Sequence, residues 1–165
     1  MFFCFDSAKH FSRLFSMPKV RTSKTKPPPN GWDTLEPLLE DVQRRMREAE
    51  NESHEGKRRN ESLWPVIRLD HQRSRIIFEK YYKQKAISKE LYDWLIKEGW
   101  ANGALIAKWK KSGYDTLCCL QCILPTNFSQ GGVCICRVPR KDLSTSKLVE
   151  CQHCGCRGCA SGDLA

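Results

Sequence analysis

Nine of the ten cysteines fall between Cys118 and Cys159, in the order Cys118-Cys119-x-x-Cys122, Cys134-x-Cys136, Cys151-x-x-Cys154-x-Cys156-x-x-Cys159. The chemistry this spacing offers is thiolate coordination. Close C-x-x-C pairs let two sulfurs grip one ion at about 2.3 Å each. A disulfide framework competes, but it requires an oxidising compartment and would leave one thiol of nine unpaired. Three tetrahedral zinc ions need twelve bonds, and nine thiolates supply them if six are terminal and three bridge two ions each. The adjacent pair Cys118-Cys119 and the Cys134/Cys136 pair suit a fused cluster, since neighbours can point to different ions. Two Cys4 sites with one free cysteine, and so two zinc ions, is the alternative. His153 reads as a spacer inside Cys151-Gln152-His153-Cys154.

Such a closed site is structural, because catalytic zinc keeps an open position for water or substrate. Three Zn²⁺ and nine thiolates carry a net charge of about −3. Arg137, Arg140, Lys141 and Arg157 lie among the ligands and offset it. With that cluster the formal charge falls from +9 to about +6, so the protein stays basic. A basic excess points to a polyanionic partner, most often nucleic acid. No apolar run approaches 18 residues, which argues against a membrane span. No open catalytic constellation or small-molecule site is evident. Thiols kept for metal imply a reducing compartment.

The elements that must position the cysteines are helical. Residues 1–16, with five phenylalanines and Cys4, read as an extension with no metal role. Residues 17–30 form a basic, proline-rich arm, with Lys19, Arg21, Lys24 and Lys26 as candidate RNA or phosphate contacts. Leu35, Leu38, Leu39, Val42, Met46 and Ala49 predict a first amphipathic helix, capped by Asp33 or Thr34. A second helix runs from near Trp64-Pro65 to about Tyr82 and a third is capped by Ser88. A fourth spans about Ala104 to Ser112. Arg73, Arg75, Lys108, Lys110 and Lys111 are further candidate RNA contacts on this basic surface. The fold is thus mostly α. A helical module over 31–116 leads into a small, irregular, cysteine-rich zinc-cluster tail over 117–162. There Ile123, Leu124, Phe128, Val133, Ile135, Val138, Leu143, Leu148 and Val149 offer only a satellite core. Gly131-Gly132 suggests a tight turn, and Gly155 and Gly158 let the backbone curl around metal.

Particular stretches resemble the bud-site-selection splicing factor family. They are His71-Gln72-Arg73-Ser74-Arg75, Tyr81-Tyr82-Lys83, Ile87-Ser88-Lys89-Glu90-Leu91-Tyr92 and Leu105-Ile106-Ala107-Lys108-Trp109-Lys110-Lys111, followed by Cys134-Ile135-Cys136-Arg137-Val138-Pro139 and the run Cys151 to Cys159. The likeness covers Met17 to about Gly162. It implies a nuclear, non-enzymatic component of the spliceosome, related to the Nineteen complex and holding a three-zinc cluster. Its implied partners are spliceosomal proteins, including the large central scaffold, and small nuclear RNA or pre-mRNA. A zinc-containing DNA-binding protein or transcriptional coregulator is the alternative. A RING ubiquitin ligase fails on spacing, because fourteen residues without cysteine follow Cys136.

Overall fold

The computed structural model describes Pro18 and residues 27–128, 132–143 and 149–161. The arm residues Lys19, Arg21, Lys24 and Lys26, the turn at Gly131 and the first sixteen residues lie outside them. Four α-helices occupy the described chain: α1 Trp32–Asn51, α2 Trp64–Phe78, α3 Lys89–Lys97 and α4 Gly103–Trp109. Beyond α4 the chain forms only short 3₁₀ turns.

Helix α1 starts one or two residues before the predicted cap. Gly31 takes that position at φ 92, a left-handed conformation that glycine adopts without penalty. Thr34 instead donates its hydroxyl to the Gly31 carbonyl at 2.9 Å. The early start brings Trp32 into the core, where it meets Trp94 edge-on at 5.1 Å and Trp100 at 5.2 Å. The predicted stripe is buried at Leu35, Leu39, Val42 and Met46. Leu38 departs from it and is 49% exposed, because it sits one step round the helix from Leu39.

Helices α1 and α2 run antiparallel. Leu35 and Leu39 share a core cluster with Ile77 near the end of α2, while Val42 and Met46 pack with Val66 and Leu69 near its start. The main cluster is completed by Leu91 and Leu95 of α3, Leu105, Ile106 and Trp109 of α4, and Leu117. Helix α2 ends in a wide turn, Glu79–Lys83, that stacks Tyr81 on Tyr92 at 4.3 Å. Both α3 and α4 are capped by side chains. Ser88 Oγ accepts from Leu91 N–H at 3.2 Å, and Asn102 Oδ1 accepts from Leu105 N–H at 3.1 Å.

A buried polar network locks these helices, and it corrects one sequence expectation. Arg73, expected to face RNA, is fully buried. Its guanidinium donates to Gln43 of α1 at 2.7 Å and to Asp70 at 3.0 Å. Asp70 also accepts from the Asn102 side chain at 3.4 Å, and Ser74 Oγ accepts from Asn102 N–H at 2.9 Å. The network therefore joins α1, α2 and the start of α4. Burial holds the Asp70 carboxyl above its ordinary range despite the pull of Arg73.

Candidate metal centre

The last helix delivers the chain to the first cysteine. Trp109 Nε1 donates to the Leu117 carbonyl at 2.8 Å, one residue before Cys118. Arg75 pins the same connection: its Nη1 donates to the Asp115 carbonyl at 3.0 Å, and its guanidinium lies 5.1 Å from the Phe78 and Trp109 rings. Its Nε faces Glu79 at 3.2 Å, so this expected RNA contact spends most of its donors inside the protein. Lys108 lies 5.8 Å from the Tyr114 ring and Lys110 lies 5.2 Å from Tyr82, while Lys111 is exposed.

The cysteine segments are then knitted by their own backbones. Cys134 N–H donates to the Cys122 carbonyl at 3.1 Å, and Cys159 N–H to that of Cys136 at 2.8 Å. Within the last segment, Cys151 N–H donates to Cys156 at 2.9 Å and Gly155 N–H to Cys151 at 2.8 Å. Gly155 sits at φ +66 against the Trp64 indole, whose Nε1 donates to the Gln152 carbonyl at 3.1 Å. No other residue fits there. A Cβ on Gly155 would stand 2.5 Å from Trp64 Cε3. Ile67 and Leu63 of the neighbouring chain also pack on the sulfurs, so α2 forms one wall of the site.

All nine cysteines are free thiols, and eight are buried, with Cys156 half-exposed. Their sulfurs fall into three groups of four, each with all sulfurs within 4.8 Å. The groups are Cys118, Cys119, Cys122, Cys154; Cys118, Cys136, Cys156, Cys159; and Cys122, Cys134, Cys136, Cys151. Cys118, Cys122 and Cys136 each belong to two groups, so the groups form a closed circuit. A fourth group, Cys151, Cys154 and Cys156, takes one member from each of the three. That last loop thus sends one sulfur to every group. The pair Cys151-x-x-Cys154 does not grip one position, as the spacing alone suggests, but divides between two.

This donor set suits metal. Four thiolates held tetrahedrally at about 2.3 Å from one ion stand about 3.8 Å apart. The closest sulfur pairs span 3.3 to 3.9 Å, well beyond a disulfide bond. Nine such thiolates without cations would repel. Neighbouring thiols of Cys118, Cys136 and Cys156 pull the Cys159 thiol below its ordinary range, and Arg137 adds to this. Arg137 donates to the Cys159 carbonyl and to the Gly113 carbonyl, with Cys159 Sγ at 3.7 Å, and lies 5.2 Å from the Tyr114 ring. Arg140, Lys141 and Arg157, expected to share that task, are exposed. His153 joins none of the groups, and its ring meets Phe128 edge-on at 5.6 Å. Val133 and Ile135, expected in a satellite core, are 55% and 48% exposed. The cysteines themselves are the core of this region.

A family model described as pre-mRNA-splicing factor BUD31 matches residues 17–161. The chain is similar to the protein BUD31 homolog of Danio rerio, 58% identical over 87% of this chain and 99% of that one. It is similar to the pre-mRNA-splicing factor cwf14 of Schizosaccharomyces pombe, 54% identical over 89% of this chain and 100% of that one. With the pre-mRNA-splicing factor BUD31 of Saccharomyces cerevisiae it shares 48% identity over 89% of this chain and 100% of that one.

Proposed function

Because the chain belongs to the BUD31 family of pre-mRNA-splicing factors, we propose that it works in the nucleus as a non-enzymatic structural component of the spliceosome. The observation that carries this reading is the division of nine buried thiols into three shared groups. It accounts for every sulfur with three zinc ions, Cys118, Cys122 and Cys136 bridging, and Cys119, Cys134, Cys151, Cys154, Cys156 and Cys159 terminal. Every coordination position is then filled by protein. Zinc bound in this way supplies cohesion to a segment that has no apolar core of its own.

The cohesion has a use. The cluster rests on α2 through Trp64 and Ile67, so it fixes one rigid surface on a helical body. A rigid, basic body without an open metal position fits a scaffold that bridges RNA and the large central splicing protein. The arm residues Lys19, Arg21, Lys24 and Lys26 and the exposed lysines of the α4 end, Lys108, Lys110 and Lys111, are the phosphate contacts of this reading. Lysines there read phosphate rather than base, so neighbours supply specificity.

The test combines two measurements on the full chain. Native mass spectrometry should return three zinc ions. Pull-down from nuclear extract should recover spliceosomal proteins and small nuclear RNA. Two ions with one alkylatable cysteine would overturn the cluster, and absence from splicing complexes together with duplex DNA binding would favour a DNA-binding protein.

A further inference from the structure

Between α1 and α2, on the side of α2 that bears Trp64, lies an open groove of about 440 Å³. That volume is within the range of small-ligand sites. Its walls carry Arg45 from α1 and Arg68 and Gln72 from α2, with Pro65 and Leu69 as floor and the Trp64 indole at one end. Lys57 and Glu61 stand at the rim.

The charges at the rim are already answered by their neighbours. Glu61 takes the Arg58 side chain and accepts from Arg58 N–H at 3.1 Å, and Lys57 faces Glu52 at 3.2 Å. Arg45 and Arg68 are exposed, and among the described residues neither has an ion-pair or hydrogen-bond partner. Two guanidiniums from facing helices thus remain for an anion.

Trp64 is the second, independent part. Its indole is clamped, with Nε1 on the Gln152 carbonyl and the ring on Gly155. A clamped indole is a planar platform that loses little freedom on binding. Acidic peptides need cations but no plane. A nucleotide needs both, a guanidinium for the phosphate and an aromatic face for the base, while an amide such as Gln72 can bond a base edge.

We propose that the α1–α2 groove takes one nucleotide of single-stranded RNA, its phosphate between Arg45 and Arg68 and its base on Trp64. The inference rests on the RNA-contacting reading above and gives it a place. It also makes the metal centre part of RNA binding, since Gly155 and Gln152, which hold the indole, belong to the cysteine loop.

The experiment uses zinc-loaded full chain and a fluorescein-labelled ten-nucleotide oligouridine, followed by polarisation across a salt series. The Arg45→Gln/Arg68→Gln variant should bind about tenfold or more weakly at low salt, with the salt slope flattened by about 1.4 for two lost contacts. A Lys89→Gln/Lys97→Gln variant, with the same charge loss on α3, should stay near wild type. Crosslinking with 4-thiouridine RNA should mark the peptide containing Trp64. Unchanged zinc content and circular dichroism verify that each variant is folded. Equal losses in both variants, crosslinks that avoid Trp64, or displacement of the RNA by a polyglutamate peptide at equal charge would overturn the proposal. Entry of wild-type protein into splicing complexes is scored separately, so failure in the groove leaves the splicing reading standing.

Discussion

Cys119 and Cys122 make a controlled pair for the shared-thiolate arrangement. Both are buried, both lie in the same group, and they are three residues apart. Replacing either by serine removes one sulfur and the same volume. They differ in one respect: Cys119 belongs to one group and Cys122 to two. Structural zinc binds with about 10–16 kcal/mol of apparent free energy, or about 3 kcal/mol for each of four thiolates. Cys119→Ser should therefore cost about 3 kcal/mol of metal binding, and Cys122→Ser about 6 kcal/mol across two ions. In competition with a chelator those losses correspond to about a hundredfold and about ten-thousandfold. The assay is zinc release against a graded chelator series, with native mass spectrometry to count retained ions. Cys122→Ser should release two ions at a chelator strength where Cys119→Ser still holds most of its zinc. Equal sensitivity of the two variants would refute the sharing of Cys122. Greater damage from Cys119→Ser would mean that the bridge lies at the neighbouring sulfur.

Three other perturbations follow from the packing. Gly155→Ala forces a Cβ to 2.5 Å from Trp64 at φ +66, whereas Gly113→Ala, at φ +82, meets nothing within 4 Å. The first should cost about 2–5 kcal/mol from backbone strain plus overpacking and the second about 1–2 kcal/mol, read as a difference in thermal midpoint. Leu39→Asp buries an unpaired carboxylate at a fully buried position and should abolish the cooperative helical melt, while Leu38→Asp, at an exposed position, should leave it nearly unchanged. Arg73→Met strands Asp70 and should cost about 3–5 kcal/mol near neutral pH in denaturant titrations. Burial already raises the Asp70 carboxyl in the folded state, so the penalty is present above that raised value and is relieved as pH falls through it. A penalty for Arg73→Met that grows on acidification would contradict this account.

Much of the architecture is legible in apolar spacing. Leu35, Leu39, Val42 and Met46 define the inner face of α1, and Ser88 and Gly99 bracket α3, because period and capping are local properties. The number of thiols likewise limits the metal arithmetic before any fold is known. Which sulfurs are shared is not local. Cys118, Cys122 and Cys136 come from two segments that meet only when Cys134 N–H reaches Cys122 and the last loop folds over both. The C-x-x-C spacing of Cys151 and Cys154 suggests a single grip. The left-handed Gly155 turns that loop so that its sulfurs fan out to three groups.

Arg73 and Arg68 show why counting basic residues misleads about partners. Both lie on α2, and composition treats them alike. Arg73 falls at the i+4 position from Leu69 and the i−4 position from Ile77, on the buried stripe, where only Asp70 and Gln43 make its charge tolerable. Arg68 is five residues earlier, which turns it about 140° away, into the groove beside Trp64. The register that assigns Leu69 and Ile77 to the core thus also assigns Arg73 to the core, and that signal was present in the sequence. The groove was not, because it needs α1 to bring Arg45 across from Arg68 and the cysteine loop to hold the indole in place. A polyanion would therefore meet a few arginines whose neighbours leave them uncommitted, and would not meet the net positive charge as a whole. In this chain those arginines stand beside an aromatic plane that the metal centre orients.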